Sequence, residues 1–254
     1  MRRFWILKYL LIVSILLIVS NISEAAKGDK EAGKKIYEKK CAWCHGWTGA
    51  GDGPAADFLN PRPRDFTSGI YKYKTSNLDN PFPYDDDIYK MIAEGMTGTS
   101  MPFWKDVLSD KDMWNLVAYI KSLAGLEGEP AAKVNYGKQV SSSADSIKKG
   151  KELFIDRCSE CHGDEGKGDA MKKLKDDWVG NRLWPRNLTK PWMFRAGSDP
   201  KDIYSRISTG ISGTPMPAFD DPASKKKLTE EDKWHVVNYV TSIKNEAISI
   251  KDGD

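Results

Sequence analysis

The sequence predicts an all-α protein that consists of two small helical domains in tandem. One pattern of motifs occupies most of the chain twice, in the same order in both copies. Each copy ends with an amphipathic helix, in which apolar residues recur with the 3.6-residue period of an α-helix. Neither copy contains a long run of alternating apolar and polar residues, the pattern typical of a half-buried β-strand. We therefore expect each copy to fold as a helical domain.

The boundaries of the predicted domains follow from where the repeated pattern starts and stops. We expect a first domain at residues 27–124 and a second at 147–246, joined by a linker at 125–146 and followed by a tail at 247–254. The linker is rich in glycine and serine, so it should run along the surface or be partly mobile.

Residues 1–26 have the composition of an export signal. Arg2, Arg3 and Lys8 give a positive start, an apolar run follows from Tyr9 to Val19, and small residues then offer a cleavage site. The apolar run is shorter than the ~20 residues that span a bilayer. We therefore expect a cleaved signal peptide, with a retained N-terminal anchor as the alternative. Membrane association is expected only if this segment is retained.

Each copy opens with a charged segment that carries a glycine and, four residues later, an aromatic residue. The pairs are Gly33 with Tyr37 and Gly150 with Phe154. A glycine on a helix face allows a second helix to approach closely, because it has no side chain. The expected partners are Tyr119 and Tyr239 on the closing helices.

A short cysteine motif follows the opening segment. It reads Cys41-Ala42-Trp43-Cys44-His45 in the first copy and Cys158-Ser159-Glu160-Cys161-His162 in the second. C-x-x-C-H is the attachment signature of c-type haem. Residues at i, i+3 and i+4 share one face of a helix, so both thiols can bond to one porphyrin while the histidine binds its iron. We therefore predict two covalent c-type haems with two proximal iron ligands, and the residues involved are Cys41, Cys44 and His45, and Cys158, Cys161 and His162.

Two other uses of a C-x-x-C pair compete with haem attachment. Structural zinc requires four ligands in one place, and the two motifs lie far apart in the sequence. A thioredoxin-like dithiol requires a β-α-β pattern around it, which the sequence lacks. The two motifs account for all four cysteines and for two of the three histidines. Haem is the preferred interpretation, and zinc or a redox dithiol remains the alternative.

A Pro-Arg step follows the motif in both copies, with Arg64 in the first and Arg186 in the second. An arginine beside a haem can bind a propionate through charge-assisted hydrogen bonds. Because the step is repeated, we predict that both arginines contact propionates. The alternative is that they are ordinary surface charges.

Each copy then contains a Gly-Thr-x-Met-Pro loop, with Met101 in the first and Met216 in the second. A six-coordinate haem needs a ligand opposite the histidine, and methionine in that place raises the reduction potential. Met96 corresponds to Ile211 and is therefore not a ligand that both copies share. We predict Met101 and Met216 as distal iron ligands, with ordinary core packing as the alternative.

An amphipathic helix closes each copy. Ser109 and Thr229 are suitable N-caps for the two helices. His235 lies in the second of them, where the first copy has Asn115. An iron ligand at this position would have no counterpart in the first copy, so we expect His235 on the surface or flank of its helix.

The charge of the chain is nearly balanced, with 39 basic and 36 acidic residues and a formal net charge of +3. Such a balance gives no reason to expect binding to nucleic acid. Hydrophobic residues make up 40% of the chain, which is below the usual share of a globular protein. A buried porphyrin would supply part of the missing apolar core.

Taken together, these motifs resemble those of a periplasmic diheme cytochrome c made of two class I cytochrome c domains. The resemblance rests on the C-x-x-C-H motifs, the Met-Pro loops and the opening and closing helices, and it covers residues 28–245. It implies a protein without catalytic residues that transfers electrons one at a time between periplasmic redox proteins. The segments around Arg64 and Met101 are also similar to diheme cytochromes that accompany periplasmic molybdenum oxidoreductases.

Two further functions stay open beside the free carrier. The chain could be the electron-transfer subunit of a larger periplasmic or membrane oxidoreductase complex, for example that of a molybdenum enzyme. A diheme peroxidase is the third alternative, although it needs an open distal site and the two Met-Pro loops argue against one.

Class I domains often orient the proximal histidine through a proline carbonyl, and Pro54 is placed for that role in the first copy.

Overall fold

The computed structural model of the protein describes residues 28–176 and 182–245. The predicted signal segment 1–26 and the tail 247–254 lie outside the described residues. Within the described ranges, no helix is both long enough and apolar enough to cross a membrane. The described chain is mostly helical and follows the same order of elements twice, which confirms the predicted all-α fold class.

The elements of the first half surround the first cysteine motif. They are α1 (Lys30–Lys40), α2 (Ala42–His45), a 3₁₀ turn (Ala56–Phe58), α3 (Asp85–Glu94) and α4 (Asp110–Leu123).

The second half repeats this order and adds a short hairpin. Its elements are α5 (Ala144–Arg157), α6 (Ser159–His162), β1 (Leu174–Lys175), β2 (Arg182–Leu183), a 3₁₀ turn (Pro191–Met193), α7 (Pro200–Thr209) and α8 (Glu230–Ser242). The strands β1 and β2 pair antiparallel. This hairpin has no equivalent among the described elements of the first half.

The closing helices begin where their caps predict. The Ser109 hydroxyl accepts the backbone N–H of Asp112 at 3.1 Å, and Thr229 does the same for Asp232 at 3.1 Å. Each bond satisfies one of the backbone donors left unpaired at a helix start. The local sequence therefore determines where α4 and α8 begin.

The opening and closing helices cross in close contact at the two predicted glycines. A Cβ on Gly33 would collide with the carbonyl of Asn115, and one on Gly150 would collide with the carbonyl of His235. The Cβ on Gly33 would also lie 3.0 Å from Tyr119 Cβ, and the Cβ on Gly150 would lie 2.9 Å from Tyr239 Cβ. Any side chain at either glycine would therefore push the two helices apart.

Each half has its own apolar core, built mainly from the inner faces of its helices. The first core includes Tyr37, Ile88 and Leu116. The second includes Phe154 and Val236. The two copies thus bury separate clusters of apolar residues, as expected for two domains.

The linker is tied to both domains by ordered contacts. The N–H of Val134 donates to the carbonyl of Thr75 in the first half at 2.8 Å, while the Val134 side chain, 4% exposed, belongs to the second core. Trp234 Nε1 donates to the carbonyl of Tyr136 at 2.6 Å. Val134 and Tyr136 of the predicted linker therefore take part in ordered packing, and Val134 is buried in a core and does not lie on the surface.

Direct contacts also join the two domains. Lys90 on α3 forms an ion pair with Asp202 on α7 at 2.8 Å. Arg195 donates from Nε to the carbonyl of Thr97 and from a terminal nitrogen to that of Gly98, both at 3.3 Å. Thr97 and Gly98 belong to the first Met-Pro loop, so the second domain contacts the loop that carries Met101.

Candidate haem sites

Both cysteine motifs form a single helical turn, α2 and α6. The N–H of His45 donates to the carbonyl of Cys41 at 2.9 Å, and that of His162 donates to the carbonyl of Cys158 at 3.0 Å. The two cysteines and the histidine of each motif therefore share one face of the turn. This is the arrangement that attachment of one porphyrin through two thioether bonds requires.

A backbone carbonyl orients each motif histidine, and it comes from the Pro-Arg step. His45 Nδ1 donates to the carbonyl of Arg64 at 3.0 Å, and His162 Nδ1 donates to the carbonyl of Arg186 at 3.2 Å. A carbonyl oxygen can only accept, so the ring proton lies on Nδ1 and the lone pair on Nε2 is available to a metal. The prediction that Pro54 orients the first histidine is wrong.

The environment of these histidines favours the neutral, metal-binding imidazole. Burial is the largest cause of a lowered pKa for both His45 and His162, partly opposed by the hydrogen bond to the arginine carbonyl. Iron binds the deprotonated Nε2, so a low imidazole pKa reduces competition from protons.

A cavity of about 220 Å³ lies in front of the second motif. Cys158, Cys161 and His162 line it on one side, and Met216 of the Met-Pro loop also lines it. Much of the remaining wall is apolar and comes from the second core, including Phe154, Leu188, Phe194, Ile207, Phe219, Val236 and Val240. These residues fit a haem, since thiols, a histidine and a thioether meet in one mostly apolar space.

The two Met-Pro loops have the same hydrogen-bond pattern. The N–H of Met96 donates to the carbonyl of Met101 at 3.1 Å, and the N–H of Ile211 donates to the carbonyl of Met216 at 3.2 Å. In both loops the methionine N–H donates to the threonine hydroxyl two residues before it, at 3.1 and 3.3 Å. Met101 and Met216 therefore occupy equivalent positions in the two loops, and so do Met96 and Ile211. The repeat in the sequence aligns the same residues.

The two predicted propionate-binding arginines are half-buried. Burial is the largest cause of a lowered pKa for both Arg64 and Arg186. Arg186 lines the cavity of the second domain. A guanidinium in such a place is stabilised by an anion beside it, so propionate contact remains our prediction for both residues.

The alternative uses of the cysteines fit this structure poorly. Burial raises the pKa of the Cys41 and Cys158 thiols to about 12, whereas a redox-active dithiol needs a lowered pKa. Within residues 28–176 and 182–245, no group of three or more His, Cys, Asp or Glu side chains could hold a metal ion. Neither a zinc site nor an exchange-active dithiol is therefore supported.

His235 lies inside the helix pair, and the expectation of a surface position is wrong. Its side chain is only 7% exposed, and its Nδ1 pairs with the hydroxyl of Ser146 on α5 at 2.8 Å. Asn238 Nδ2 donates to the same hydroxyl at 2.8 Å. His235 thus joins α5 to α8 and is not among the residues that line the cavity.

The surfaces beside the two motifs differ. Trp43 and Trp47, next to the first motif, are 64% and 60% exposed. The corresponding residues of the second copy are Glu160 and Asp164, and Glu160 pairs with Lys172 at 2.5 Å. The outer edge of the first site is therefore apolar, and that of the second is charged.

Comparison with protein families finds one family model twice in the chain. The family model described as cytochrome c matches residues 30–124 and matches again at residues 147–244. Both matches contain one C-x-x-C-H motif and one Met-Pro loop.

Curated relatives include subunits of a respiratory oxidase. The cbb3-type cytochrome c oxidase subunit FixP of Azorhizobium caulinodans is 30% identical over 204 residues, which are 78% of this chain and 56% of the relative. Subunit CcoP of the same type of oxidase from Rhodobacter capsulatus is 24% identical over 92% of this chain and 68% of the relative. The chain thus spans just over half the length of the FixP relative.

Among solved structures, the chain is similar to one from the reducing HAO-like protein complex of Kuenenia stuttgartiensis. The TM-score is 0.74 and the sequence identity is 34%. The match covers 86% of this chain and 98% of that chain. The similarity therefore includes both domains and extends over nearly the whole of that protein.

Proposed function

This chain belongs to the cytochrome c family, with two tandem copies of the domain and two covalent c-type haems, and from this premise we propose that it transfers electrons one at a time between redox proteins. The bound haem iron supplies the redox step by cycling between ferric and ferrous states. The chain itself holds the haem, orients the imidazole and keeps water away. No catalytic group is assigned to it.

We propose that His45 with Met101, and His162 with Met216, complete the coordination of the two irons. The observation that carries this proposal is the shared cavity of Cys158, Cys161, His162 and Met216. The identical hydrogen bonds of the two Met-Pro loops extend it to the first site. Iron held in each site by a histidine and a methionine would have no open coordination position for a substrate, which argues against a peroxidase.

Membership of a larger complex is the second candidate function. The relatives are named as subunits of cbb3-type cytochrome c oxidases, and the solved relative is part of a protein complex. In this version the chain would pass electrons to or from one fixed partner. Co-purification of a large oxidoreductase with the tagged chain from its native host would support the complex, whereas isolation of the chain alone would support the free carrier.

The different outer edges of the two sites support two different docking partners. The exposed Trp43 and Trp47 suit a partner that presents an apolar surface, while the charged surface around Glu160 suits a polar one. Binding to the first edge should therefore depend weakly on ionic strength, and binding to the second should depend strongly on it.

We propose that the protein is exported and works in the periplasm, on the basis of the N-terminal signal pattern in the sequence. Attachment to a membrane would then depend on whether that segment is kept.

The electron-transfer proposal is tested by ligand binding to the reduced holoprotein. With both irons bound to methionine, carbon monoxide should bind slowly or not at all, and peroxide should not be turned over. The reduced protein should still be oxidised quickly by an outer-sphere oxidant such as ferricyanide. Rapid binding of carbon monoxide at either haem, together with peroxide turnover, would refute the carrier and favour the peroxidase.

A further inference from the structure

The cavity of the second domain contains two residues of the first domain in its wall. Lys72 and Tyr73 line the same cavity as Cys158, His162 and Met216. Both residues lie between the first Pro-Arg step and α3, so they belong to the first copy of the repeat. The neighbouring domain therefore contributes to the wall of this cavity.

The wall around these two residues is strongly cationic. The lining includes five cations, namely Lys72, Arg157, Arg186, Arg195 and Arg206. Among the described residues that line the cavity, none is an aspartate or a glutamate. An otherwise apolar cavity with this much positive charge suits a ligand that has an apolar body and carboxylates at one edge, as haem does.

Arg206 connects the first-domain residues to the second domain. Its guanidinium carbon lies 5.7 Å from the centre of the Tyr73 ring, and it donates to the carbonyl of Ala196 at 2.9 Å. Burial is the largest cause of a lowered pKa for Arg206, while Tyr73 and Asp202 act in the opposite direction. The cation and the ring are both half-buried, and they form one contact across the domain boundary.

We propose that Lys72 and Tyr73 of the first domain are part of the binding site for the second haem, where Lys72, Arg186 and Arg206 together hold its propionates. This inference rests on the proposed function, because it assumes a haem in each domain. The ion pair between Lys90 and Asp202 also joins the two domains.

The arrangement also brings the two haem sites towards each other. Arg64, the predicted propionate partner of the first haem, is close enough to Lys72 to lower its pKa, although burial is the largest cause. Arg195, in the same wall, donates to the loop that carries Met101. The wall of the second cavity therefore also contacts residues of the first site.

The test is a spectroelectrochemical titration of the full-length holoprotein at pH 6, where Lys72, with a pKa lowered to about 8, carries its charge. A cation beside a haem favours the ferrous state, because the ferric haem carries one more positive charge. Arg206→Gln should lower the midpoint potential of one of the two haems, and Lys72→Gln should lower the midpoint potential of the same haem. Arg186→Gln replaces Arg206→Gln if the latter does not fold.

The control is Lys34→Gln, which removes the same charge from an exposed position on α1 and should leave both waves in place. The proposal is overturned if Lys72→Gln does not change the midpoint potential that the arginine variants lower. This holds whether or not Lys72→Gln changes the midpoint potential of the other haem. It is also overturned if neither arginine variant moves a wave. Two waves in the unaltered protein would keep the electron-transfer function intact in either case.

Discussion

Replacing Gly150 with alanine should loosen the second domain more than any exposed change on the same helix. The new Cβ would collide with the His235 carbonyl and would lie 2.9 Å from Tyr239 Cβ. Because the first obstacle is backbone, no side-chain rotation can relieve it. Helices α5 and α8 would have to separate along the contact that the glycine makes.

The expected loss of stability follows from two opposing contributions. Forcing an extra carbon into a packed contact typically costs about 1–3 kcal/mol, and a clash with backbone belongs at the upper end of that range. Alanine then returns about 1 kcal/mol through its better helix propensity. The net loss for Gly150→Ala is therefore about 2 kcal/mol, which is a change of more than tenfold in the unfolding equilibrium.

Denaturant unfolding of the ferric holoprotein measures this loss. The haem stays covalently attached, so the part of the weak methionine-to-iron band that belongs to the second site should be lost as this domain unfolds. Lys151→Ala, an exposed change next to Gly150 on α5, should stay within about 0.5 kcal/mol of the parent. If Gly150→Ala were as stable as the parent and kept the full band, the close helix contact would not exist as described.

Two further predictions concern the haems themselves. The intact mature protein should exceed its polypeptide mass by two haem units, and a mass equal to that of the bare chain would disprove covalent attachment. Met101→Ala and Met216→Ala should each remove part of the methionine-to-iron band and lower one reduction potential, because each removes a thioether ligand. Met96→Ala is the matched control in the first loop, and an equal effect there would show that the loop residue has been assigned wrongly.

Local sequence determined the features that depend on neighbouring residues. The cysteine motifs form single helical turns because their spacing matches that of a helix, and the closing helices begin at Ser109 and Thr229 because these side chains cap them. The close approach at Gly33 and Gly150 was also predicted, since the glycine recurs at the same place in both copies. Repetition within one chain thus separated functional positions from incidental ones.

Features that depend on the path of the backbone were not predictable in this way. Every residue has a carbonyl, so the sequence could not show that Arg64 and Arg186, and not Pro54, would orient the histidines. His235 was misplaced because its partner, Ser146, lies on another helix. The contribution of Lys72 to the second cavity was missed for the same reason, since nothing in the repeat connects the first copy to the second site.

The position of Val134 means that the second folded domain includes a residue that lies outside the second copy of the sequence repeat. The repeat of the second half begins after the linker, yet Val134 lies in its core and bonds through its backbone to Thr75. A second domain cut out at the start of its repeat would lose part of its interior and expose a gap. The two halves are therefore joined by a segment that is itself part of the fold. Swapping such halves between homologues should succeed only when the connecting segment travels with the second.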